Sequence, residues 1–400
     1  MIKYLQMQIF LFILGFLLFV GLVLIHEYGH YLAARRNGVK VEEFGLGFPP
    51  RAVSKKLKSG MMLSLNWLPL GGFVRLKGEH DSAKGKGSFG GASLGAKTKI
   101  MLAGVTMNLV AGLLLLTILA AVGMPRLLTK DNVGQDQFTV ASDTKISYQE
   151  VRIGQVTDGS PADKAGLTSL DVISRLSSGR QALNIKSAED LHKATALFAG
   201  RTVTIDIKHK GQVQTKTATL LGQTEVEAAR QKGQPKGYLG IVPNEIVIQR
   251  STWSAPIVAV GFTKQLVELT FKGLGQALSG LGSTIAGGLT GNTQARQNGQ
   301  AQATEQVGGP VAIMAVLWGG GDLGIYFMLM VIAILSLTLA IMNVLPIPAL
   351  DGGRLFVTLF YRIINKPLTR DVEQRIHGTG MAVLLALIAL ITVVDVKRFL

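Results

Sequence analysis

Three long stretches of the sequence contain no charged residue and no histidine, and a shorter one follows near the end. The long stretches are 4–25, 100–124 and 323–350, and the shorter, Leu/Ile/Val-rich one is 378–394. Because about 20 apolar residues cross a bilayer as a helix, three stretches predict membrane-spanning helices outright and the fourth is marginal. A cleaved signal peptide is the alternative for the first stretch, but no small-residue cleavage site follows it. We therefore interpret the chain as a polytopic α-helical membrane protein with about four transmembrane helices.

A region of strand-like alternation lies between the second and third apolar stretches. Within residues 137–222, apolar and polar positions alternate in four short segments, at 151–157, 171–176, 202–208 and 212–218. Ser187 with Asp190 three residues later is typical of a capping box and predicts a helix that ends near Ala199. The pattern predicts a small α+β domain inserted between two membrane helices.

In the remainder of this long segment, 223–322, the hydrophobic pattern predicts secondary structure less clearly than in 137–222. Residues 223–250 are interpreted as a linker, and the Gly-rich stretch 251–300 can hold an amphipathic helix at the membrane surface. The Gly/Gln/Asn/Ala-rich stretch 287–306 is expected to be flexible.

Composition narrows the function classes further. The chain has 41 Lys+Arg against 25 Asp+Glu, a net charge of +16, yet only 16% of its residues are charged and 48% are hydrophobic. A chain that is both basic and apolar is neither a disordered segment nor a nucleic-acid-binding tail. It contains no cysteine, which excludes disulfides, thiolate metal ligands and a cysteine nucleophile. With only six histidines, a metal site must combine few histidines with carboxylates.

The lysines and arginines in the short segments that join the apolar stretches predict how the chain is oriented in the membrane. Twelve lysines and arginines lie between Arg35 and Lys97, and five more lie between Arg354 and Arg375. The positive-inside rule places both segments in the cytoplasm, whereas a long domain crosses the membrane largely regardless of its charge. Both termini and the segment 125–322 are then extracytoplasmic, and the protein is expected in the cell (inner) membrane.

The first apolar stretch ends in a motif of ionisable side chains, His26-Glu-Tyr-Gly-His30. Positions i and i+4 lie on one face of a helix, so both imidazoles can reach one metal ion. Glu27 lies on the same turn and can take a proton from a water held by that metal. The alternative is that two interfacial histidines end a plain anchor helix, but ionisable residues in a membrane segment are costly and are functional by default.

A third ligand is expected at the end of the third apolar stretch, which reads Asn343-Val-Leu-Pro-Ile-Pro-Ala-Leu-Asp351-Gly-Gly. Asp351 is the first charge after a long uncharged run. Two prolines and a glycine pair make a continuous helix here unfavourable, and irregular backbone at membrane depth is tolerated where it lines a cavity. A carboxylate on this break would complete a His₂Asp zinc site with His26 and His30. Capping of a helix that begins near Gly352 is the alternative role for Asp351.

These motifs together resemble the site-2 protease family of intramembrane zinc metalloproteases. The resemblance extends over nearly the whole chain and is greatest to bacterial members with an extracytoplasmic PDZ insert. The stretch 159–173 resembles a PDZ signature, 69–75 resembles the membrane-dipping β-loop of the family, and 44–48 and 308–313 match the segments that precede the loop and the third helix. The second helix reads GVTMN at 104–108 where the family usually has Gly-Pro-x-x-Asn, so the backbone break expected there is in doubt.

The resemblance implies the residue roles. His26, His30 and Asp351 match the zinc ligands, and Glu27 matches the general base. Asn343 matches an asparagine that faces the site, and Asn108 matches the asparagine of the Gly-Pro-x-x-Asn motif. Oxyanion or substrate contacts are expected for both. An ordinary helix–helix hydrogen bond is the alternative for Asn343.

The implied substrates are transmembrane segments of membrane proteins that another enzyme has already trimmed, such as anti-sigma factors or signal-peptide remnants. A helix must unwind before its peptide bonds can be attacked, and the segment 61–77, with a Pro-Leu-Gly-Gly turn, can offer it a strand edge at Gly71, Gly72 and Phe73. A cytoplasmic hairpin without a substrate role is the alternative. A PDZ domain adds an extended peptide to its sheet, so a peptide or a new chain end is the expected partner of the insert.

The predicted order of segments follows from these assignments. It is the first transmembrane helix with the zinc motif (1–36), a cytoplasmic segment with the membrane-associated β-loop (37–97), the second helix (98–124), the PDZ-like domain (137–222), the linker segment (223–322), the third helix with its break (323–353) and the fourth helix (378–397). The lipid bilayer is the expected environment, and no nucleic acid is expected as a partner. A non-catalytic membrane adaptor with a structural metal site is the competing function. A transporter is disfavoured, since no inverted repeat is visible.

Overall fold

The fold divides into two compact units, which are described separately. The computed structural model describes residues 2–209, 211–231, 236–290, 292–294, 297–298 and 308–399. The first unit comprises Met1–Leu119 and Ala255–Leu400, and the second comprises Ala120–Ser254. The second unit is therefore wider than the PDZ-like range 137–222 assigned from the sequence.

The first unit begins with two long helices and a β-ribbon between them. In chain order these are α1 (Ile2–Arg36), β1 (Val41–Lys56), β2 (Met62–Leu76) and α2 (Leu94–Val122). Both helices are long and apolar enough to cross a membrane. Helix α2 is continuous through GVTMN at 104–108, because the proline that would interrupt it is absent.

The turn predicted within Pro-Leu-Gly-Gly at 69–72 is confirmed by the pairing of the strands. Residues 62–65 run parallel to 43–46, whereas 72–75 run antiparallel to the same segment, so the chain reverses its direction between 66 and 72. Gly71 has a φ of +87°, which glycine adopts without strain, and lies at this reversal within β2.

The second unit is built on one antiparallel sheet. Its elements are β3 (Met124–Pro125), α3 (Lys130–Val133), β4 (Lys145–Val156), α4 (Pro161–Lys164), β5 (Val172–Ser178), β6 (Gln181–Asn184), α5 (Ala188–Leu197), β7 (Thr202–His209), β8 (Gln212–Thr219), α6 (Gln223–Gln231) and β9 (Ile241–Arg250). The strand order is β3-β9-β4-β5-β7-β8, with β6 paired to β5. Apolar residues of alternate positions, among them Val151, Ile153, Ile205 and Ile207, form its buried core with Phe198 of the α5 C-cap.

The linker predicted at 223–250 is wrong, since Gln223–Gln231 form α6 and Ile241–Arg250 form β9 within the second unit. Residues Ile241–Arg250 form β9, which pairs with β4 along its whole length, from Ile241 opposite Val156 to Arg250 opposite Lys145. Pro243 within β9 obscured the alternation, although Val247 is buried and its neighbours are more exposed. The capping box at Ser187 is confirmed, since its side chain accepts a hydrogen bond from the backbone amide of Asp190.

In the part of the chain that the structure describes, the first unit resumes with five helices of 13 residues or more. They are α7 (Ala255–Thr290), α8 (Pro310–Leu323), α9 (Ile325–Val344), α10 (Asp351–Ile363) and α11 (Arg370–Phe399), of which α9 and α11 are also long and apolar enough to cross a membrane. Residues 287–290 complete α7, so the expectation of a flexible stretch fails there. Of residues 291–306, only 292–294 and 297–298 are among the described residues.

Close approaches at glycine hold the membrane helices together. A β-carbon at Gly29 of α1 would lie 2.6 Å from the Ala103 carbonyl oxygen of α2, and one at Gly15 would lie 2.5 Å from the Met328 sulfur of α9. The Ser336 hydroxyl of α9 donates a hydrogen bond of 2.8 Å to the Asn108 carbonyl of α2. Small residues that allow such close backbone contact are typical of helix packing in membranes.

Candidate metal centre

The three predicted ligand residues meet at one point of the first unit. His26 and His30 lie one turn apart on α1, with their Nε2 atoms 3.2 Å apart. The Oδ2 atom of Asp351 lies 3.2 Å from Nε2 of His26 and 3.1 Å from Nε2 of His30. Within the part of the chain that the structure describes, this is the one group of three side chains suited to hold a metal ion.

The geometry of this group fits zinc. Zinc binds imidazole nitrogen and carboxylate oxygen at about 2.0–2.1 Å in a tetrahedral arrangement, which separates neighbouring ligand atoms by about 3.3 Å. The three observed separations of 3.1–3.2 Å are close to that value. Two histidines and one carboxylate also leave a fourth position open, as a catalytic zinc site requires.

Both histidines have a partner on the ring nitrogen that faces away from the site. Nδ1 of His30 donates a hydrogen bond of 2.8 Å to the Ile100 carbonyl of α2, which leaves the lone pair on Nε2. Such partners fix the tautomer and the orientation of a metal-binding imidazole.

Asn108 provides the corresponding contact for His26. Its amide nitrogen lies 3.3 Å from Nδ1 of His26, and its amide oxygen is buried without a hydrogen-bond partner. When Nε2 of His26 binds a metal, Nδ1 carries the proton and needs an acceptor. A half-turn of the Asn108 amide about its terminal bond supplies the amide oxygen as that acceptor. Sequence reasoning assigned Asn108 to oxyanion or substrate contacts and did not identify this contact with His26.

Gly104 determines how closely α2 approaches the ligands. A β-carbon at this position would lie 2.4 Å from Nε2 of His30 and 2.7 Å from Nε2 of His26. Only a residue without a side chain fits there. The sequence could not identify this role, because the spacing GxxxN does not show which helix face the glycine occupies.

Glu27 is half-buried beside the ligand group. None of the described residues forms a hydrogen bond with its carboxylate. A β-carbon at Gly72 of β2 would lie 2.9 Å from Cγ of Glu27, so the ribbon packs directly against this side chain. Of the predicted strand-loop residues, Gly71 and Phe73 flank Gly72 in β2, and the Phe73 ring covers Gly45 of β1.

A folded-back turn presents Asp351 to the histidines. Helix α9 ends at Val344 and α10 begins at Asp351, so the predicted break is confirmed. A β-carbon at Gly352 would lie 2.1 Å from the Val344 carbonyl oxygen, and one at Gly353 would lie 1.9 Å from that of Ile347. The segment 344–347 packs so closely against the first turn of α10 that only glycine fits at positions 352 and 353. Asp351 is the first residue of α10 and Leu350 is its N-cap, so the capping role expected as the alternative is wrong, and the Asp351 side chain faces the two histidines.

An ionic network holds α10 in place one turn after Asp351. Arg354 donates hydrogen bonds to the carboxylate of Glu79, at 2.9 Å, and to its backbone carbonyl. Glu373 of α11 is buried and accepts a hydrogen bond of 2.8 Å from the Asp81 backbone amide. A cavity of about 370 Å³ adjoins this network and is lined by Asp351, Arg354, His80 and His377 among others. This network was not predicted from the sequence.

Among the described residues, Asn343 forms no hydrogen bond with the zinc-ligand residues or with Glu27. Its side chain donates a hydrogen bond of 3.0 Å to the Leu339 carbonyl, within its own helix. The oxyanion or substrate contacts expected for Asn343 and Asn108 stay predictions.

Among the described residues, four helices are apolar enough to cross a membrane, and a His–His–Asp group has a free glutamate beside it. Together these features define a membrane-embedded metallopeptidase. The chain belongs to peptidase family M50, whose family model matches residues 14–387. The match confirms the resemblance to the site-2 proteases and identifies the chain as a protease.

Several proteins of other bacteria are similar to this chain over nearly their whole length. A protein of Clostridium perfringens, whose name assigns it to the zinc metalloproteases, is 28% identical over 96% of this chain and 98% of its own. A protein of Clostridium acetobutylicum with the same assignment is 27% identical over 98% of both chains. The zinc metalloprotease RasP of Geobacillus kaustophilus is 25% identical over 97% of this chain and 98% of its own.

Proposed function

We propose that this protein is a zinc-dependent intramembrane endopeptidase that cleaves transmembrane segments of membrane proteins already trimmed by another protease. The observation that carries the proposal is the position of Glu27, beside three ligand atoms and against a β-strand, on a helix apolar enough to span the membrane. A structural zinc site needs no free carboxylate beside it. Membership of a peptidase family also favours this function over the adaptor and the transporter.

Each residue of the site has a distinct role in the proposed reaction. His26, His30 and Asp351 would hold the zinc, and Ile100 and Asn108 orient the two imidazoles. When bound, zinc acts as a Lewis acid toward the attacking water and the scissile carbonyl. Glu27 accepts a proton from that water at its carboxylate and returns it to the leaving nitrogen.

The free edge of the ribbon is the candidate binding surface for the unwound substrate. Residues 72–76 pair with 41–46 on one side, and no described strand pairs with their other side. Substrate backbone can add to this edge as a further strand. Because Gly72 contacts Glu27, a peptide bond bound there would lie near the proton acceptor.

The second unit has a groove suited to an extended peptide. A cavity of about 380 Å³ is lined by Leu191 and Thr195 of α5, by Val226 of α6 and by the segment 237–241 that leads into β9. We propose that this groove binds a chain end exposed by the first cleavage and so favours trimmed substrates, with a PDZ-like mode of binding. Ala188→Trp would fill the groove, and Ala196→Trp on the exposed side of α5 is the matched control. The ratio of cleavage rates for trimmed and untrimmed substrates should fall only in the first variant; an equal ratio in both would refute selection by the groove.

The central test uses the purified chain, loaded with zinc and reconstituted in liposomes with a model transmembrane substrate. Wild-type protein should cleave within the apolar segment. Glu27→Gln keeps the size of the side chain but cannot accept the proton, so cleavage should fall by about 10²–10⁴-fold while zinc content is unchanged. Glu42→Gln, at an exposed position of β1, is the control. Turnover at the wild-type rate by Glu27→Gln would overturn the proposed mechanism.

A further inference from the structure

The β-ribbon is folded so that one segment of β1 lies between two segments of β2. Gly45 pairs with both Ser64 and Phe73, and Leu46 pairs with both Leu65 and Gly72. Residues 51–56 pair in turn with 62–66. The ribbon therefore contains four strand segments side by side, in the order 51–56, 62–66, 43–46 and 72–76.

A single carboxylate connects all four segments. Glu43 lies in the inner segment, and its side chain is only 4% exposed. It accepts a hydrogen bond of 2.6 Å from the Ser64 hydroxyl, forms an ion pair of 2.9 Å with Arg51 and forms a second ion pair with Arg75. Each of these three partners belongs to a different one of the other segments.

This arrangement restricts how the segments can move relative to one another. A buried carboxylate that loses its donors carries a large desolvation cost, so the ribbon cannot shift its pairing without breaking these contacts together. The four segments have no other described group of charges at their centre. Glu43 therefore specifies the folded form of the ribbon as well as adding to its stability.

The outer segment that Glu43 fixes is the one that reaches the metal centre. Arg75 lies in the segment 72–76, three residues beyond Gly72. A β-carbon at Gly72 would lie 2.9 Å from Cγ of Glu27 and 3.2 Å from the Gly45 carbonyl oxygen. The position of this edge relative to Glu27 thus depends on the pairing of 43–46 with 72–76, at whose end Glu43 pairs with Arg75.

We propose that Glu43 is a positioning residue that, through Arg75, fixes the edge 72–76 against Glu27 and so determines which peptide bond of an unwound transmembrane segment is cleaved. The proposal rests on the proposed function. In a strand, a slip of one residue exchanges the two faces, so a loosely held edge would present neighbouring bonds to Glu27.

Two arginines of similar exposure allow a matched comparison. Arg51 and Arg75 are 44% and 51% exposed and pair with the same carboxylate, but only Arg75 lies in the edge segment. Glu43→Gln, Arg75→Gln and Arg51→Gln are each reconstituted with zinc and the model transmembrane substrate. Products are identified by mass spectrometry, and kcat and KM are measured separately along with zinc content.

Glu43→Gln and Arg75→Gln should spread cleavage over bonds adjacent to the wild-type bond and lower kcat/KM by about tenfold or more, with zinc content unchanged. Arg51→Gln should keep the wild-type bond. Cleavage of the single wild-type bond by Glu43→Gln, equal spreading in Arg51→Gln, or zinc loss in Glu43→Gln would overturn the proposal. Arg75→Gln, which retains Glu43, provides the test if Glu43→Gln does not fold.

A second measurement separates this proposal from the proposed function. The chain contains no cysteine, so spin labels can be placed at Tyr28→Cys on α1 and Lys77→Cys beside the edge segment. The distance distribution between the labels should broaden in Glu43→Gln and stay narrow in Arg51→Gln. This result is expected even if the wild-type protein cleaves no transmembrane substrate, whereas an unchanged distribution in Glu43→Gln would refute the positioning role.

Discussion

Gly104 of α2 lies so close to His30 of α1 that a β-carbon at position 104 would come within 2.4 Å of the ring nitrogen Nε2. The same atom would lie 2.6 Å from Cε1 of His26. Contacts this short are not found between real atoms, so either α2 or the imidazoles would have to move. The backbone of the second helix therefore forms a wall of the metal centre.

Gly104→Ala should reduce zinc binding and cleavage, although alanine normally stabilises a helix by about 0.5–1 kcal/mol relative to glycine. The added methyl group displaces the two histidines from their positions beside Asp351. Gly95→Ala in the same helix is the control, since a β-carbon at Gly95 would meet no atom within 4 Å. Metal analysis and thermal unfolding of both variants test this prediction; equal zinc content in the two would contradict it.

Asn108→Ala distinguishes an orienting role from an oxyanion role. If Asn108 orients His26, its removal should weaken zinc binding by about 10–100-fold, as is typical of residues that hold a metal ligand. If it stabilises an oxyanion, zinc binding should be unchanged and kcat should fall. Competition with a zinc chelator, followed by kinetics at saturating zinc, measures both quantities. We expect the change in affinity.

Asp351→Ala should lower zinc content sharply from about one ion per chain. Asp351 contributes one of three ligand atoms and the only negative charge among them. Asp371→Ala, at an exposed position of the first turn of α11, should retain the ion. Full zinc retention by Asp351→Ala, measured by elemental analysis of detergent-purified protein, would remove Asp351 from the ligand set.

Reporter fusions test the orientation in the membrane. Fusions after Lys84 and Arg370 should report the cytoplasm, because both positions lie in short segments rich in lysine and arginine. A fusion after Gln212, in the second unit, should report the opposite side. If Lys84 and Gln212 report the same side, the four-pass topology is wrong.

The second unit should lose local stability in acid through Asp143. Hydrogen bonds from Ser254 and Thr252 hold the pKa of this carboxyl well below its usual range. A carboxyl with a lowered pKa contributes stability above its ordinary pKa, and that contribution is lost as the pH falls toward the lowered value. The amides of residues 252 and 254, which donate to Asp143, should have lower protection factors against hydrogen exchange at low pH than at neutral pH, after correction for the intrinsic exchange rate. Asp143→Asn should remove most of this pH dependence; an unchanged profile would contradict the assignment.

Residues with a strong local pattern were predictable from sequence. The spacing of His26 and His30 fixes their common helix face, and the prolines and glycines around Asp351 dictate the break that brings this carboxylate to them. Strand β9 was missed because Pro243 and Asn244 interrupt its alternation, while the pairing that stabilises it comes from β4, far away in sequence.

Roles that depend on contacts between distant segments were not predictable. Gly104 and Asn108 lie on a uniformly apolar helix, where no periodicity shows which face meets α1. In the sequence, Glu43 looks like an exposed charged residue of a polar strand. Its three hydrogen-bond and ion-pair partners come together only when the ribbon folds. In both cases the role depends on a distance between residues far apart in sequence, and the spacing of residues along the chain does not reveal that distance.

The meeting of His30 with Asp351 has a consequence for folding. These two residues are 321 positions apart, so an ion bound between them closes a loop that includes most of the chain. Closing a long loop removes conformational entropy from the unfolded ensemble, which is how a disulfide stabilises a protein. In a chain without cysteine, the metal is thus a reversible cross-link, and its removal would leave the helices joined by packing, hydrogen bonds and ion pairs.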